Sequence, residues 1–186
     1  FLGIFCYVST EQGTSIFMST FLEQYHGVNP QTDGAQAVSY FWGLMTAGCL
    51  VGMLLLKLID SKRLLQISGV LTIVLLLSAL FGSKGIALIA FPAVGFSISM
   101  MYSIVFSLAL NSASQHHGSF AGILCSAIVG GAGGPMIVST IADATSLRTG
   151  MLFILVFVGY ITFIGFWARP LINNKTVKLK KLFKKA

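Results

Sequence analysis

Two stretches of the sequence carry polar side chains in a pattern that could hold a polar solute. In YVSTEQGTSI, residues 7 to 16, Tyr7, Glu11, Thr14 and Ser15 recur at i, i+3, i+4 spacing between the apolar runs FLGIF and IFM. In SMMYSIVFSLAL, Ser99, Tyr102, Ser103 and Ser107 do the same. On a helix such spacing gathers the groups on one face. The chemistry on offer is hydrogen bonding, not bond making. No P-loop, zinc motif or nucleophile elbow is present. His116 and His117 are adjacent in a polar loop, so they point apart and read as loop residues. Cys6, Cys49 and Cys125 fall in three separate apolar runs without metal-ligand spacing, and read as small apolar packing residues. No metal site and no cofactor is expected.

The elements that position these groups follow from composition. The chain has 186 residues, of which only 9 % are charged, and its mean hydropathy is +0.87. A soluble domain carries roughly 25 % charged residues, so the composition points to the membrane class and excludes a soluble one. Six apolar runs have the ~20-residue length of a membrane helix. They predict spans over 1–25, 35–56, 64–82, 85–110, 118–142 and 150–168. Turn chemistry separates them: HGVNPQTDG, KLIDSKR, GSKG, NSASQHHG and DATSLRTG. The predicted fold class is an all-α polytopic membrane protein, with one domain over 1–169 and a Lys-rich tail over 170–186. The net charge of +7 does not suggest nucleic acid, because most of it lies in that tail. The opening residues show no signal peptide. The chain starts on Phe1, flush against an apolar run, which predicts a piece of something longer.

With six spans both chain ends lie on one side. That side collects Lys57, Lys62, Arg63, Arg169 and the six tail lysines, ten of the twelve basic residues; Lys84 and Arg148 face the other. The positive-inside rule then puts the tail in the cytoplasm. Two readings stay open for the tail: a solvated positive-inside segment, or one lying on the anionic inner leaflet through Leu179, Leu182 and Phe183. Asp143 and Arg148 flank an outer loop and are expected to form a surface ion pair worth under about 1 kcal/mol.

Small residues mark where helices approach. Gly48 and Gly52 form a GxxxG in the second span, Gly118 and Gly122 another in the fifth. The fifth also holds IVGGAGGPM, with Gly130, Gly131, Gly133, Gly134 and Pro135. Either that span bends there, since Pro135 removes a backbone donor, or another helix presses close. Glu11 lies roughly 15 Å along its helix at 1.5 Å per residue, near the bilayer midplane. A charge there costs on the order of 2.5–3.5 kcal/mol. It is protonated and bonded to Tyr7, Thr14 or Ser15, or faces a wet path, or pairs with a cation from another part of the protein.

Four stretches, in order, resemble the second half of a major facilitator superfamily transporter, and most nearly the fucose–proton symporter family, which also holds glucose/galactose transporters. FCYVSTEQGTSIFMSTFLEQY is similar to that family's seventh helix, with its Tyr-Val-Gly-Ala-Glu string. YFWGLMTAGCLVG resembles the eighth, MMYSIVFSLAL the tenth and IVGGAGGPMIVSTIAD the eleventh. Glu11, Trp42, Tyr102 and Pro135 match. The sequence departs at Cys49, where the family has Arg; at Ser103, where it has Pro; at Ile98, for Asn; and at Met136 and Ser139, for Pro and Gly. The resemblance implies twelve spans in two halves, with a monosaccharide held between them near the midplane. It also implies a proton as coupling ion, a partner N-terminal half that holds the coupling acids, and a bacterial inner-membrane location. Tyr7, Glu11, Ser15, Trp42, Ser99, Tyr102 and Ser103 are the cavity candidates it selects. Trp42 and Tyr102 would stack on a sugar ring, with plain packing the equal alternative for Trp42. The competing readings are a transporter of another small solute, and a six-helix channel or scaffold. A channel would want a carbonyl filter or a charge ring, and none is visible.

Overall fold

The computed structural model describes residues 1–112 and 115–169, except the side chain of His117. The predicted tail, 170–186, lies outside the described residues. Among those described, every regular element is a helix. In order they are α1 (Leu2–His26), α2 (Ala35–Leu58), α3 (Ser61–Phe81), α4 (Lys84–Ile98), α5 (Met101–Leu110), α6 (His117–Ser126), α7 (Gly130–Ala144), α8 (Leu147–Leu152) and α9 (Ile154–Trp167). They stack into six rods: α4 and α5 share one, as do α6 and α7, and α8 and α9. Five rods are long and apolar enough to cross a membrane. The sixth, α1, has the length with 25 residues, but its polar groups leave it less apolar than the other five.

The rod ends follow local chemistry. Gly27 ends α1 in the left-handed region at φ 60 and donates back to the Leu22 and Glu23 carbonyls, the conformation glycine adopts without strain. The Asp60 carboxylate caps α3 by accepting from the Lys62 N–H at 3.1 Å. The loop HGVNPQTDG is more ordered than its turn residues suggest. Pro30–Gly34 forms a π-helical turn that runs directly into α2. Asn29 starts it by accepting from the Gln31 N–H at 2.9 Å.

Two rods predicted as continuous are interrupted. The fourth breaks at Ser99–Met100, between α4 and α5, and the fifth tightens into a 3-10 turn over Ala127–Val129. The tightening precedes the glycines and Pro135, where the sequence leaves either a bend or a close helix contact open. A serine bonded back to its own helix leads into each interruption. Ser97 Oγ donates to the Val94 carbonyl at 2.9 Å and Ser99 Oγ to Phe96 at 2.8 Å. Ser126 Oγ donates to Ile123 at 2.8 Å. Such bonds compete with the backbone ladder.

The bundle is built around α1, which packs on α7, α9 and α4. Glycines bring the backbones together. A Cβ on Gly130 would collide with the Phe5 carbonyl, and one on Gly134 with Ser9. Ser9 Oγ donates to the Gly130 carbonyl at 3.0 Å. The glycine cluster of the fifth rod is thus a close-packing device. Gly131 and Gly133 sit more loosely, against Val8 and Phe5 side chains. Gly48 and Gly52 do the same for α2 against Phe96, Ser99 and Met100. Gly118 and Gly122 have nothing within 4 Å of an added Cβ, so that GxxxG seats no described helix. Polar bonds tie α3 to its neighbours: Thr72 to Ser97 at 2.7 Å, and Gln66 Nε2 to the Gly165 carbonyl at 2.9 Å.

Candidate functional site

The polar face of α1 divides when placed in the bundle. Ser9, Thr10 and Thr14 are fully buried, and Ser15 is nearly so. Thr10 and Ser15 bond to carbonyls of their own helix, Cys6 at 2.9 Å and Gln12 at 3.3 Å. The Thr14 hydroxyl is buried without a hydrogen-bond partner. Glu11 and Gln12 remain half-exposed, and Gln12 Nε2 donates to Glu11 Oε1 at 3.3 Å. The Tyr7 hydroxyl, one turn before, lies near the Glu11 carboxyl. Of the neighbours expected for Glu11, Tyr7 is the one at hand. Thr14 and Ser15 are not among its hydrogen-bond partners.

The fourth rod presents its groups through the break. Past it, α5 turns Tyr102 toward α1, where the Tyr7 and Tyr102 rings meet at 5.6 Å with a 59° tilt. Tyr102 also stacks on Phe106 at 5.9 Å and 20°. Ser103 is exposed beside it. Ser99 is not: it is 4 % exposed, covered by Gly48 and bonded to Phe96. Its carbonyl accepts from the Cys49 thiol of α2 at 3.3 Å.

The structure therefore brings Tyr7, Glu11 and Tyr102 together, with Tyr7 buried and Glu11 and Tyr102 half-exposed, leaves Ser103 exposed on α5, and turns Ser15 and Ser99 back onto their own helices. Trp42 is 38 % exposed on α2 and packs edge-on against Phe41 at 5.5 Å. It makes no ring contact with Tyr102. Only Cys6 of the three cysteines is buried; Cys49 and Cys125 are exposed, which corrects their reading as packing residues. Gln12 and Cys49 are the members sequence spacing did not select. Gln12 neighbours Glu11 and was visible; Cys49 is revealed only by the break it meets.

A groove of about 890 Å³ lies elsewhere, between the starts of α1 and α6 and the ends of α5 and α9. Phe120, Phe163, Phe166 and Trp167 line it, with Ser112 and Arg169 as polar groups. The convergent polar groups are on the Tyr7–Tyr102 face instead, which is open. A solute site encloses most of its ligand, and this face alone does not.

At the opposite end of the bundle, Arg148 does not pair with Asp143. Its guanidinium lies over Tyr25 at 4.5 Å, Phe81 at 5.5 Å and Phe21 at 5.8 Å. The backbone N–H of Arg148 donates to the Tyr25 hydroxyl oxygen at 3.3 Å.

A bundle of six rods close-packed through glycine, five of them long and apolar enough to cross a membrane, defines a polytopic membrane protein. Comparison with solved structures gives the particular fold. A crystal structure of the major facilitator superfamily transporter FucP in the outward conformation superposes with a TM-score of 0.83 at 19 % identity, over 89 % of this chain and 40 % of that one. The chain has the major facilitator fold, as one six-helix half of it. A second structure, of the E. coli fucose:proton symporter FucP, gives the same score. No family model matches the chain. Among curated proteins, a glucose/galactose transporter of Brucella abortus biovar 1 (strain 9-941) is 35 % identical over 166 residues, 88 % of this chain and 40 % of the relative. A putative glucose/galactose transporter of Helicobacter pylori (strain ATCC 700392 / 26695) is 31 % identical over 153 residues, 82 % of this chain and 37 % of the relative. The chain spans about two fifths of the length of the curated relatives it matches.

Proposed function

We propose that the chain is the C-terminal half of a secondary transporter that carries a monosaccharide, of the glucose, galactose or fucose kind, in symport with protons. The substrate lies between two six-helix halves near the bilayer midplane, and rocking of the halves opens it to each side in turn. The observation that carries the reading is the open face where Tyr7 meets Tyr102 at 5.6 Å, with Glu11 one turn along α1. The half-exposed Tyr102 ring, backed by Tyr7, offers an apolar surface to a sugar's C–H face, and Glu11, Gln12 and Ser103 offer hydrogen bonds to its hydroxyls. The names of the relatives in Brucella and Helicobacter support a sugar. The N-terminal half supplies the opposite wall and the coupling acids. The location is a bacterial inner membrane, with Arg169 and the lysines after it on the cytoplasmic side.

The test is uptake of labelled glucose, galactose and fucose by proteoliposomes holding the full-length protein, with and without an imposed proton gradient. Saturable uptake that a protonophore abolishes is the expected result. Uptake indifferent to the gradient removes the coupling, and no uptake of any of the three removes the substrate class.

A further inference from the structure

The break in the fourth rod leaves a backbone carbonyl exposed to the neighbouring helix, and one side chain meets it. Ser99 and Met100 lie outside both α4 and α5. The helical ladder restarts when the Ile104 N–H donates to the Met100 carbonyl at 3.1 Å. The Ser99 carbonyl accepts from Cys49 Sγ at 3.3 Å. The contact is close because α2 has no side chain at the two adjoining positions of that face. A Cβ at Gly48 would collide with Ser99, and one at Gly52 would stand 3.0 Å from Met100 Cβ. Three residues after the carbonyl comes Tyr102, whose ring meets Tyr7.

We infer that Cys49 is a positioning residue: its thiol caps the Ser99 carbonyl, holds the Ser99–Met100 break in one geometry, and so sets Tyr102 against Tyr7 on the substrate-facing wall. A carbonyl inside a bilayer needs a donor, because no water replaces one in hydrocarbon. Gly48 and Gly52 bring the donor within reach, and a thiol is short enough to reach the carbonyl without displacing α4. A long basic side chain at position 49 would not fit that contact and would turn elsewhere. The break is therefore tied to the thiol itself, as well as to the glycines around it.

The inference rests on the transport reading for its consequence but not for its geometry, and two measurements on the full-length protein separate them. The first is hydrogen–deuterium exchange over residues 99–104 in detergent. Cys49→Ala, which loses the donor, is expected to exchange there faster than the parent by about two- to five-fold, the range of one weak hydrogen bond. Cys49→Ser, which keeps a donor, is expected to stay near the parent. Equal exchange in parent and Cys49→Ala overturns the inference, as does an equal rise in both variants. The second is sugar uptake. Cys49→Ala is expected to raise the half-saturating concentration by a similar factor at unchanged maximal rate, with rescue by Cys49→Ser. A changed exchange pattern with unchanged half-saturation overturns the link to Tyr102. A parent that takes up no sugar removes the transport reading and leaves the exchange result to decide the cap.

Discussion

The Tyr7 and Tyr102 rings touch at 5.6 Å with a 59° tilt, and this contact joins the first rod to the lower half of the broken fourth. The two rings differ in freedom: Tyr7 is 4 % exposed, while Tyr102 is half-open and backed by Phe106. On the proposed transport reading, Tyr7 is a fixed platform and Tyr102 the ring that meets the solute. Tyr102→Ala removes both ring contacts. An aromatic pair contributes about 0.5–1.5 kcal/mol beyond its buried area. The half-saturating sugar concentration in proteoliposome uptake should rise by about two- to ten-fold. Tyr102→Phe keeps the rings and should stay within about two-fold of the parent. A Phe variant as weak as the Ala variant would move the role from the ring to the hydroxyl.

Glu11→Gln keeps the shape of the side chain and removes its titration. Glu11 is half-exposed and accepts a hydrogen bond from Gln12, and it makes no ion pair among the described residues, so no buried ion pair is broken. The fold should survive, read as an unchanged thermal unfolding midpoint. A hydrogen bond to a charged group contributes about 1.5–3 kcal/mol. Loss of one to the sugar should raise half-saturation by about ten-fold or more. Uptake measured across pH should also lose whatever part of its pH dependence Glu11 supplies. Unchanged half-saturation and an unchanged pH profile would make Glu11 a structural residue.

The rods were legible because apolar length is the main signal a membrane helix leaves, and Gly48 and Gly52 because close approach needs small residues. The breaks were not, because the serines that precede them look like any others. Ser15 makes the same bond to a carbonyl three residues back, at 3.3 Å, and α1 runs on unbroken. The polar faces were legible in spacing but not in depth. Ser15 and Ser99 share a period with Tyr7 and Tyr102, yet the packing of α1 and the approach of Gly48 bury them. Trp42 matched a family position, and its ring rests on Phe41 rather than beside Tyr102. Pairing of Arg148 with Asp143 failed for a similar reason. Sequence distance suggested the carboxylate, while the fold brings three aromatic rings from α1 and α3 to the guanidinium.

Gly130 and Gly134 should respond differently from Gly122. An added methyl at Gly130 or Gly134 meets the backbone or Cβ of α1, which cannot rotate away. Overpacking of this kind costs about 1–3 kcal/mol, more than the roughly 1 kcal/mol that alanine gains over glycine in a helix. Gly134→Ala should lower the thermal unfolding midpoint of the full-length protein. Gly122→Ala meets nothing within 4 Å in this half and should leave the midpoint unchanged or raise it. A Gly122→Ala variant that destabilises as much as Gly134→Ala would place another helix, from outside this half, against the start of the fifth rod.

Arg148 ties together the ends of three rods, and its loss should be felt as stability. The guanidinium lies over Tyr25, Phe21 and Phe81, at the point where α8 begins, and its Nε is buried without a hydrogen-bond partner. The attraction is thus to the ring faces, at about 0.5–1 kcal/mol for an exposed pair and about 2 when desolvated. Arg148→Gln removes the charge and keeps much of the stem. It should lower the stability of the full-length protein by about 1–2 kcal/mol. Arg148→Lys should recover part of that loss, since an ammonium still faces the rings but lacks the planar stack. Asp143→Asn should change stability by less than about 0.5 kcal/mol, because Arg148 is directed to the rings. Thermal unfolding of the four proteins, repeated at low and high salt, separates the two accounts. An ion pair at the surface would weaken with salt, and the ring contacts would hold. A large, salt-sensitive effect of Asp143→Asn would restore the ion pair and remove the aromatic seat.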